Sequence, residues 1–241
     1  MIRRVEIIGA APLAGAALAL LTGLAALCGC GGDAPTAPPA APGIVAPAPG
    51  ATVFGSWVNV TLGAPEFQRA LVWLDRDPAT AAPDTVGALT FTVKEVRQGA
   101  HTLTVEYVDG ASAPLDPPLR FTTAFATENL LAKLQSDVFV LSCALSSCHS
   151  AAESHAKLNL SSAGAAYASL VMVEPENEAA RAVGMKRVVP FDTAASFLWM
   201  KINNPPSQYG AQMPRVGVSL STERKTWIRD WIDQGGLPSD Y

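Results

Sequence analysis

The middle of the chain alternates apolar and other residues with the period of a β-strand. Val58, Val60 and Leu62 alternate with polar or aromatic neighbours. Runs of the same period recur at residues 71–74, 89–93, 103–107 and 119–121, and Gly, Pro or Asp residues separate them. Short alternating strands between regular turn signals predict an all-β sandwich over residues 44–124.

Beyond residue 125 the apolar period becomes helical. An apolar stripe runs from Leu130 to Leu141, and Thr127 is placed to cap its start. The segment "STERKTWIRDWIDQGG" predicts a second amphipathic helix that Ser221 caps. Shorter helical candidates follow Ser161-Ser162 and Asp192. We therefore predict a multidomain protein, in which an all-α domain over residues 125–241 follows the sandwich.

The N-terminal residues have the pattern of an export signal. The basic "MIRR" precedes an almost wholly apolar stretch from Ile7 to Leu27, and "LCGCGG" follows. Leu27, Gly29 and Cys30 resemble the lipobox of bacterial lipoproteins, in which a cysteine thiol receives a diacylglycerol. We expect residues 1–30 to be a lipoprotein signal peptide and Cys30 to be lipidated. A plain signal peptide and a retained membrane helix are the alternatives.

The segment after this signal is a Pro-, Ala- and Gly-rich linker. Residues 31–43 have the sequence "GGDAPTAPPAAPG", which favours a tether between a membrane and a folded region. The protein is therefore expected to be exported and lipid-anchored to a bacterial membrane, facing the periplasm or the cell surface. Both disulfides and covalent haem are permitted in those compartments. The sandwich segment, from "APAPGATV" to "GAHTLTVEYVDG", resembles bacterial immunoglobulin-like or fibronectin-type modules.

The charge distribution excludes one class of partner. The chain has 17 Lys and Arg residues against 21 Asp and Glu residues, with a net charge of −4 and no basic run, so nothing indicates a nucleic-acid surface. Ten basic and eleven acidic residues lie in 125–241, so this region predicts no strong electrostatic steering of a partner.

The candidate chemistry is concentrated in "CALSSCH". It contains Cys143, Cys148 and His149. The standard haem attachment motif is C-x-x-C-H, whereas here four residues separate the cysteines. A longer intervening loop can still let two thiols reach the two vinyl groups of a porphyrin. The Cys148-His149 adjacency, which brings the imidazole under the iron, is intact.

Other chemistries are open for this motif. A structural zinc site would take its four ligands from Cys143, Cys148, His149 and His155, although the spacing matches no common zinc module. A Cys143–Cys148 disulfide would make His149 incidental, and the protein would then be a surface lipoprotein that binds or adheres through its sandwich. A catalytic Cys–His pair is disfavoured, since a second cysteine would quench the nucleophile.

The stretch from Val138 to Leu237 resembles the single-haem cytochrome c-like domains of the Planctomycete-type cytochrome C group. The matching pieces are Cys143-Ala144, Cys148-His149, Leu158-Asn159-Leu160, Tyr167 through Val171, Val189-Pro190 with Asp192, Ser196, Leu198 and Lys201, Met213-Pro214, and Trp231 through Gly235. Phe191 and Gly236 depart from the residues common in that group, which are Gly and Ala.

This resemblance implies a c-type cytochrome fold with one haem c. Cys143 and Cys148 would form the thioethers, His149 would be the proximal axial iron ligand, and Met213 would be the distal one. Met213 lies in "YGAQMPRVG", where Pro214 restricts the backbone. His155 is an alternative sixth ligand. With both axial positions filled the protein would be an electron carrier for redox partner proteins rather than an enzyme.

Overall fold

The computed structural model of the chain describes residues 7–9, 41–63, 69–217 and 219–241. Nine strands come first: β1 (Ile7–Gly9), β2 (Ile44–Ala46), β3 (Thr52–Phe54), β4 (Val58–Leu62), β5 (Arg69–Leu74), β6 (Asp84–Val86), β7 (Thr90–Val93), β8 (Gly99–Val108) and β9 (Pro114–Glu128). The helices follow: α1 (Leu130–Leu134), α2 (Ala163–Leu170), α3 (Glu178–Ala182), α4 (Phe197–Ile202) and α5 (Thr222–Asp233). A π-helix (Gln135–Cys143) continues α1, and 3₁₀ turns form at His155–Lys157 and Ser207–Tyr209.

The strands form two sheets around one apolar core. One sheet has the order β1-β7-β4-β2, and the other has the order β3-β9-β8-β5-β6. β3 runs parallel to β9, and the other neighbouring strands are antiparallel. Val58, Val60 and Leu62 of β4 are buried while Asn59 between them is exposed, so the sequence alternation matches the two faces of the strand. The buried Tyr107 of β8 donates a hydrogen bond of 2.7 Å from its hydroxyl to the Gly63 carbonyl.

β1 lies inside the segment that we predict to be the export signal. It pairs with β7, in the register Ile7 to Val93 and Gly9 to Phe91. Removal of the signal would therefore leave β7 as an edge strand. The lipidation residue Cys30 and the linker up to residue 40 lie outside the described residues. Among the residues that the structure does describe, none of the helices combines the length and the apolar character needed to span a membrane.

The C-terminal region, residues 129–241, has its own apolar core. Asn129 begins α1, since its side-chain oxygen accepts hydrogen bonds from the Leu131 and Ala132 amides at 2.9 and 3.1 Å. Ser221 begins α5 in the same way, accepting from the Arg224 amide at 3.3 Å. The core contains Leu131, Leu134, Val138, Phe139, Leu160, Leu170, Val188, Ile202, Ile228, Trp231 and Ile232, which are all buried.

The predicted fold class, an immunoglobulin-like sandwich followed by an all-α cytochrome c-like domain, is wrong. The chain is rich in sheet and only 26% helical. The helices of the C-terminal region are short, with α1 and α3 of five residues each, and isolated bridges such as Val171 to Val188 hold the irregular segments between them. Gly, Pro, Ser and Asn residues in these segments stop the helices early. The predicted cap Thr127 lies in β9, which extends to Glu128.

Side chains from both regions join the sheets to the C-terminal region. The Gln234 side-chain oxygen accepts a hydrogen bond of 2.7 Å from the Ser56 amide. The ammonium group of Lys133 lies 4.3 Å from the ring centre of Phe54 and 4.1 Å from that of Trp227, so one cation contacts an aromatic ring from each region.

Candidate cofactor site

Backbone hydrogen bonds fold the Cys143–His149 segment into a compact loop. The π-helix ends at Cys143, and the His149 amide donates back to the Cys143 carbonyl at 3.1 Å. Within the loop the Cys148 amide donates to the Leu145 carbonyl at 2.8 Å. Although four residues separate the cysteines in sequence, the backbone of Cys143 contacts that of His149, the residue after Cys148.

The two cysteines are free thiols and are partly exposed. Desolvation, together with the nearby Cys148, raises the pKa of the Cys143 thiol to about 12, and Arg224 opposes both effects. Cys143 is therefore protonated at neutral pH. A protonated thiol is a poor nucleophile, because attack needs the thiolate. This state does not suit Cys143 as a catalytic nucleophile.

One ring nitrogen of His149 is hydrogen-bonded to a backbone carbonyl. Its Nδ1 lies 3.0 Å from the carbonyl oxygen of His155. A carbonyl only accepts hydrogen bonds, so Nδ1 carries the proton and Nε2 keeps its lone pair. Desolvation lowers the pKa of His149, against the opposing effects of hydrogen bonds to the backbone of His155 and Leu158. A neutral imidazole with a free Nε2 is the form that binds a metal ion.

Met213 is held in a loop that is anchored to α4. Its amide donates to the Lys201 carbonyl at 2.8 Å. The Lys201 ammonium group donates to the carbonyls of Tyr209, at 2.9 Å, and of Ala211. Burial lowers the pKa of Lys201, and the positive charge of Arg215 lowers it further. Helix α4 therefore fixes the loop through three bonds from a single residue.

These loops meet at one cavity of about 390 Å³. This volume lies within the range of about 300–1,000 Å³ that is typical of small-molecule sites. Its walls are mainly apolar, with Leu158, Leu160, Leu170, Phe197, Leu198 and Ile202 among the lining residues. Cys143, His149 and Met213 line the same cavity. A neighbouring cleft of about 600 Å³ shares these three residues and extends to Cys148.

The structure thus brings together the four residues that the sequence singles out. His155, the alternative sixth ligand, is exposed and lines the neighbouring cleft rather than the cavity. Within the described ranges, no group of three or more His, Cys, Asp or Glu side chains is arranged to hold a metal ion. A haem iron would use only one such side chain, His149, together with a methionine and the porphyrin nitrogens.

Charged residues also line the cavity, and sequence reasoning missed the most buried of them. Arg187 is only 5% exposed, although arginine is rarely buried without partners. Its position between Lys186 and Val188 gives no local sign of burial. Glu176 and Asn177 also line the cavity. Lys201 belongs to the motif on which the family resemblance rests, but the sequence does not show that its ammonium group binds the Met213 loop.

Comparison with known proteins adds little to this geometry. No protein-family model matches the chain, and no curated protein matches it. The chain is similar to fibronectin(III)-like modules of CbhA from Clostridium thermocellum, with 16% identity and a TM-score of 0.26, over 36% of this chain and 95% of that one. It is similar to CopC from Methylosinus trichosporium OB3b, with 12% identity and a TM-score of 0.24, over 37% and 95%. Likenesses this low carry no argument about function.

Proposed function

We propose that this protein is an exported c-type cytochrome that carries one covalently bound haem and transfers single electrons. The observation that carries the proposal is the cavity that Cys143, His149 and Met213 line together. The first two come from one loop, and Met213 comes from a loop more than sixty residues further along the chain.

The thiol groups would attach the cofactor. The sulfur of Cys143 or Cys148 would add across a vinyl group of the porphyrin, which would form a carbon–sulfur bond and pass the thiol hydrogen to the other vinyl carbon. This addition needs no oxidant. Two free thiols near a mainly apolar cavity suit it, whereas a disulfide would make both sulfurs unavailable.

His149 and Met213 would bind the iron. Nε2 of His149 and the thioether sulfur of Met213 would hold the iron. The bound haem would supply the one-electron chemistry by cycling between ferrous and ferric iron. With both side chains bound to the iron, substrate would have no open iron site, which favours a carrier over an enzyme.

The cytochrome would be anchored outside the cytoplasm and would exchange electrons with partner proteins. The lipobox-like residues that end at Cys30 support lipid anchoring outside the cytoplasm, facing the periplasm or the cell surface. An electron carrier needs redox partner proteins. The nearly balanced charge of residues 125–241 supports association through short-range contacts more than through long-range steering.

The test is to produce the full chain in bacteria that make c-type cytochromes. We expect a red protein that stains for haem on a denaturing gel and whose mass includes one haem. Cys148→Ala and His149→Ala should lose the haem, whereas Cys143→Ala should keep it through one thioether. His155→Ala is the matched control and should keep it, because His149 contacts the carbonyl of His155 and not its ring. A colourless wild-type protein without added mass would exclude the proposal.

A further inference from the structure

Arg187 makes an unusual set of contacts at the wall of the cavity. Its guanidinium group donates to the carbonyls of Ala156 at 2.6 Å, Lys157 at 3.1 Å and Ser169 at 2.7 Å. Ser169 lies in α2, which is part of the packed core. Arg187 therefore connects the segment at residues 154–157 to a helix. A charged donor forms stronger hydrogen bonds than a neutral one does, and the planar fork fixes their direction.

The 154–157 segment has a backbone that needs such support. Ser154, Ala156 and Lys157 have φ angles of 29°, 57° and 53°, and none of the three is glycine. Residues with a Cβ atom adopt this left-handed conformation at a cost, and it persists only where surrounding contacts hold it. An ion pair of 3.1 Å between Lys157 and Glu176 gives additional support, although the lysine end is mostly exposed.

The same segment carries the acceptor that orients His149. The carbonyl of His155, between Ser154 and Ala156, accepts the hydrogen bond from Nδ1 of His149. The orientation of that carbonyl depends on the φ and ψ angles of its neighbours. Arg187 therefore binds the backbone of Ala156, the residue next to this acceptor.

We propose that Arg187 is a positioning residue for His149, acting through the 154–157 segment rather than by contact with the imidazole. This proposal rests on the proposed function, because it assigns His149 to the iron. Outer partners of a metal-bound histidine fix the orientation of its ring and raise its basicity. Loss of Arg187 should weaken the hydrogen bond at Nδ1 and make His149 a poorer donor to ferric iron.

The sign of the expected effect separates positioning from simple electrostatics. A weaker histidine donor disfavours ferric iron and raises the reduction potential. Removal of a positive charge near the iron has the opposite effect, because it relieves repulsion of the ferric state. Arg187→Lys keeps the charge but loses the planar fork, so positioning alone predicts a rise. A role confined to stability would lower the unfolding midpoint and leave the potential unchanged.

The experiment compares the holoproteins of wild type, Arg187→Lys and Arg181→Lys by potentiometric titration. Arg181 is an exposed arginine in α3 and serves as the control. We expect a higher potential for Arg187→Lys and no change for Arg181→Lys. In a Met213→Ala background, which leaves ferrous iron five-coordinate, Arg187→Lys should also lower the iron–histidine stretching frequency in resonance Raman spectra. An unchanged potential and frequency would overturn the proposal.

A second variant covers the case in which Arg187→Lys does not retain haem. Glycine adopts positive φ freely, so Ala156→Gly in the Arg187→Lys background should hold the segment without the arginine. We expect it to restore haem binding, or to return the potential towards the wild-type value where the single variant keeps its haem. Failure of this rescue would show that Arg187 does not act through the segment. A wild-type protein without haem would instead refute the proposed function itself.

Discussion

The contact between Gly55 and Gln234 allows a quantitative test of how the sheets are joined to the C-terminal region. Gly55 has a φ of +100°, and a Cβ atom there would lie 2.2 Å from the side-chain oxygen of Gln234. That oxygen accepts the hydrogen bond from the amide of Ser56, which is only 6% exposed. Gly55→Ala should therefore strain the backbone and also displace the acceptor of a nearly buried donor.

Both effects can be given a magnitude. An L residue in an unfavourable φ region costs about 1–3 kcal/mol. A buried amide left without its acceptor costs about 1–3 kcal/mol. Gly55→Ala should thus lower the free energy of unfolding by about 2–6 kcal/mol. The matched control is Gly50→Ala. Gly50 has a φ of +74°, and its Cβ would meet nothing within 4 Å, so that variant should show the conformational cost alone.

The assay is urea denaturation of both variants, repeated in a Gln234→Ala background. In the Gln234→Ala background the methyl group introduced at position 55 has space. Gly55→Ala should therefore lower the free energy of unfolding there by about as much as Gly50→Ala does. The two substitutions should therefore be non-additive, as expected for residues in direct contact. Equal costs for Gly55→Ala and Gly50→Ala in the wild-type background, with additivity in the cycle, would refute the contact as the cause.

Three further predictions concern the cofactor, the anchor and the last helix. Met213→Ala should remove the weak far-red absorption of a sulfur–iron bond and lower the reduction potential, with the haem still attached. Visible spectroscopy should show the same band unchanged in the control, Met200→Ala. A band that survives Met213→Ala would contradict the ligand assignment. Cys30→Ser should abolish labelling by radioactive fatty acid and release soluble protein, whereas a fully membrane-bound, unprocessed variant would indicate a retained helix. Ser221→Ala should lower the free energy of unfolding by about 0.5–2 kcal/mol, because it removes the cap of α5. Thr222→Ala leaves the cap intact and should lower it less in the same thermal denaturation experiment. Equal losses in the two variants would argue against capping.

Five strands could be predicted from the sequence because their period is local, namely β4, β5, β7, β8 and β9, whereas the three-residue strands β1, β2, β3 and β6 could not. β4 and β8 coincide with alternating runs, and their apolar residues are buried, although the polar Thr104 and Glu106 of β8 are buried as well. The extension of β9 to Glu128 could not be predicted. Its last residues, Ala126 to Glu128, pair with β3, which comes from a distant part of the chain. This pairing takes Thr127 into a strand, so that Asn129 caps the helix instead.

The helical stripe was predictable only in its first half. Val138 is buried as the spacing requires, whereas Leu141 is 57% exposed and Phe139 is 1% exposed. The cause is the π-helix that begins at Gln135. It has more residues in each turn than an α-helix, so a stripe placed at 3.6 residues per turn rotates away from the core. Sequence periodicity assumes a constant pitch, and this segment does not have one.

The candidate site divides in the same way into local and non-local parts. Cys143, Cys148 and His149 are recognisable because their chemistry depends on adjacency in sequence. Met213 is indicated by family resemblance and by its loop, and its place at the same cavity depends on bonds from Lys201.

Arg187 has no sequence signal at all, since its partners are backbone carbonyls, which every residue possesses. Those carbonyls face the arginine because Ala156 and Lys157 adopt positive φ without being glycines. Because non-glycine residues adopt this conformation at a cost, the position of His149 should depend on an arginine that is far from it in sequence.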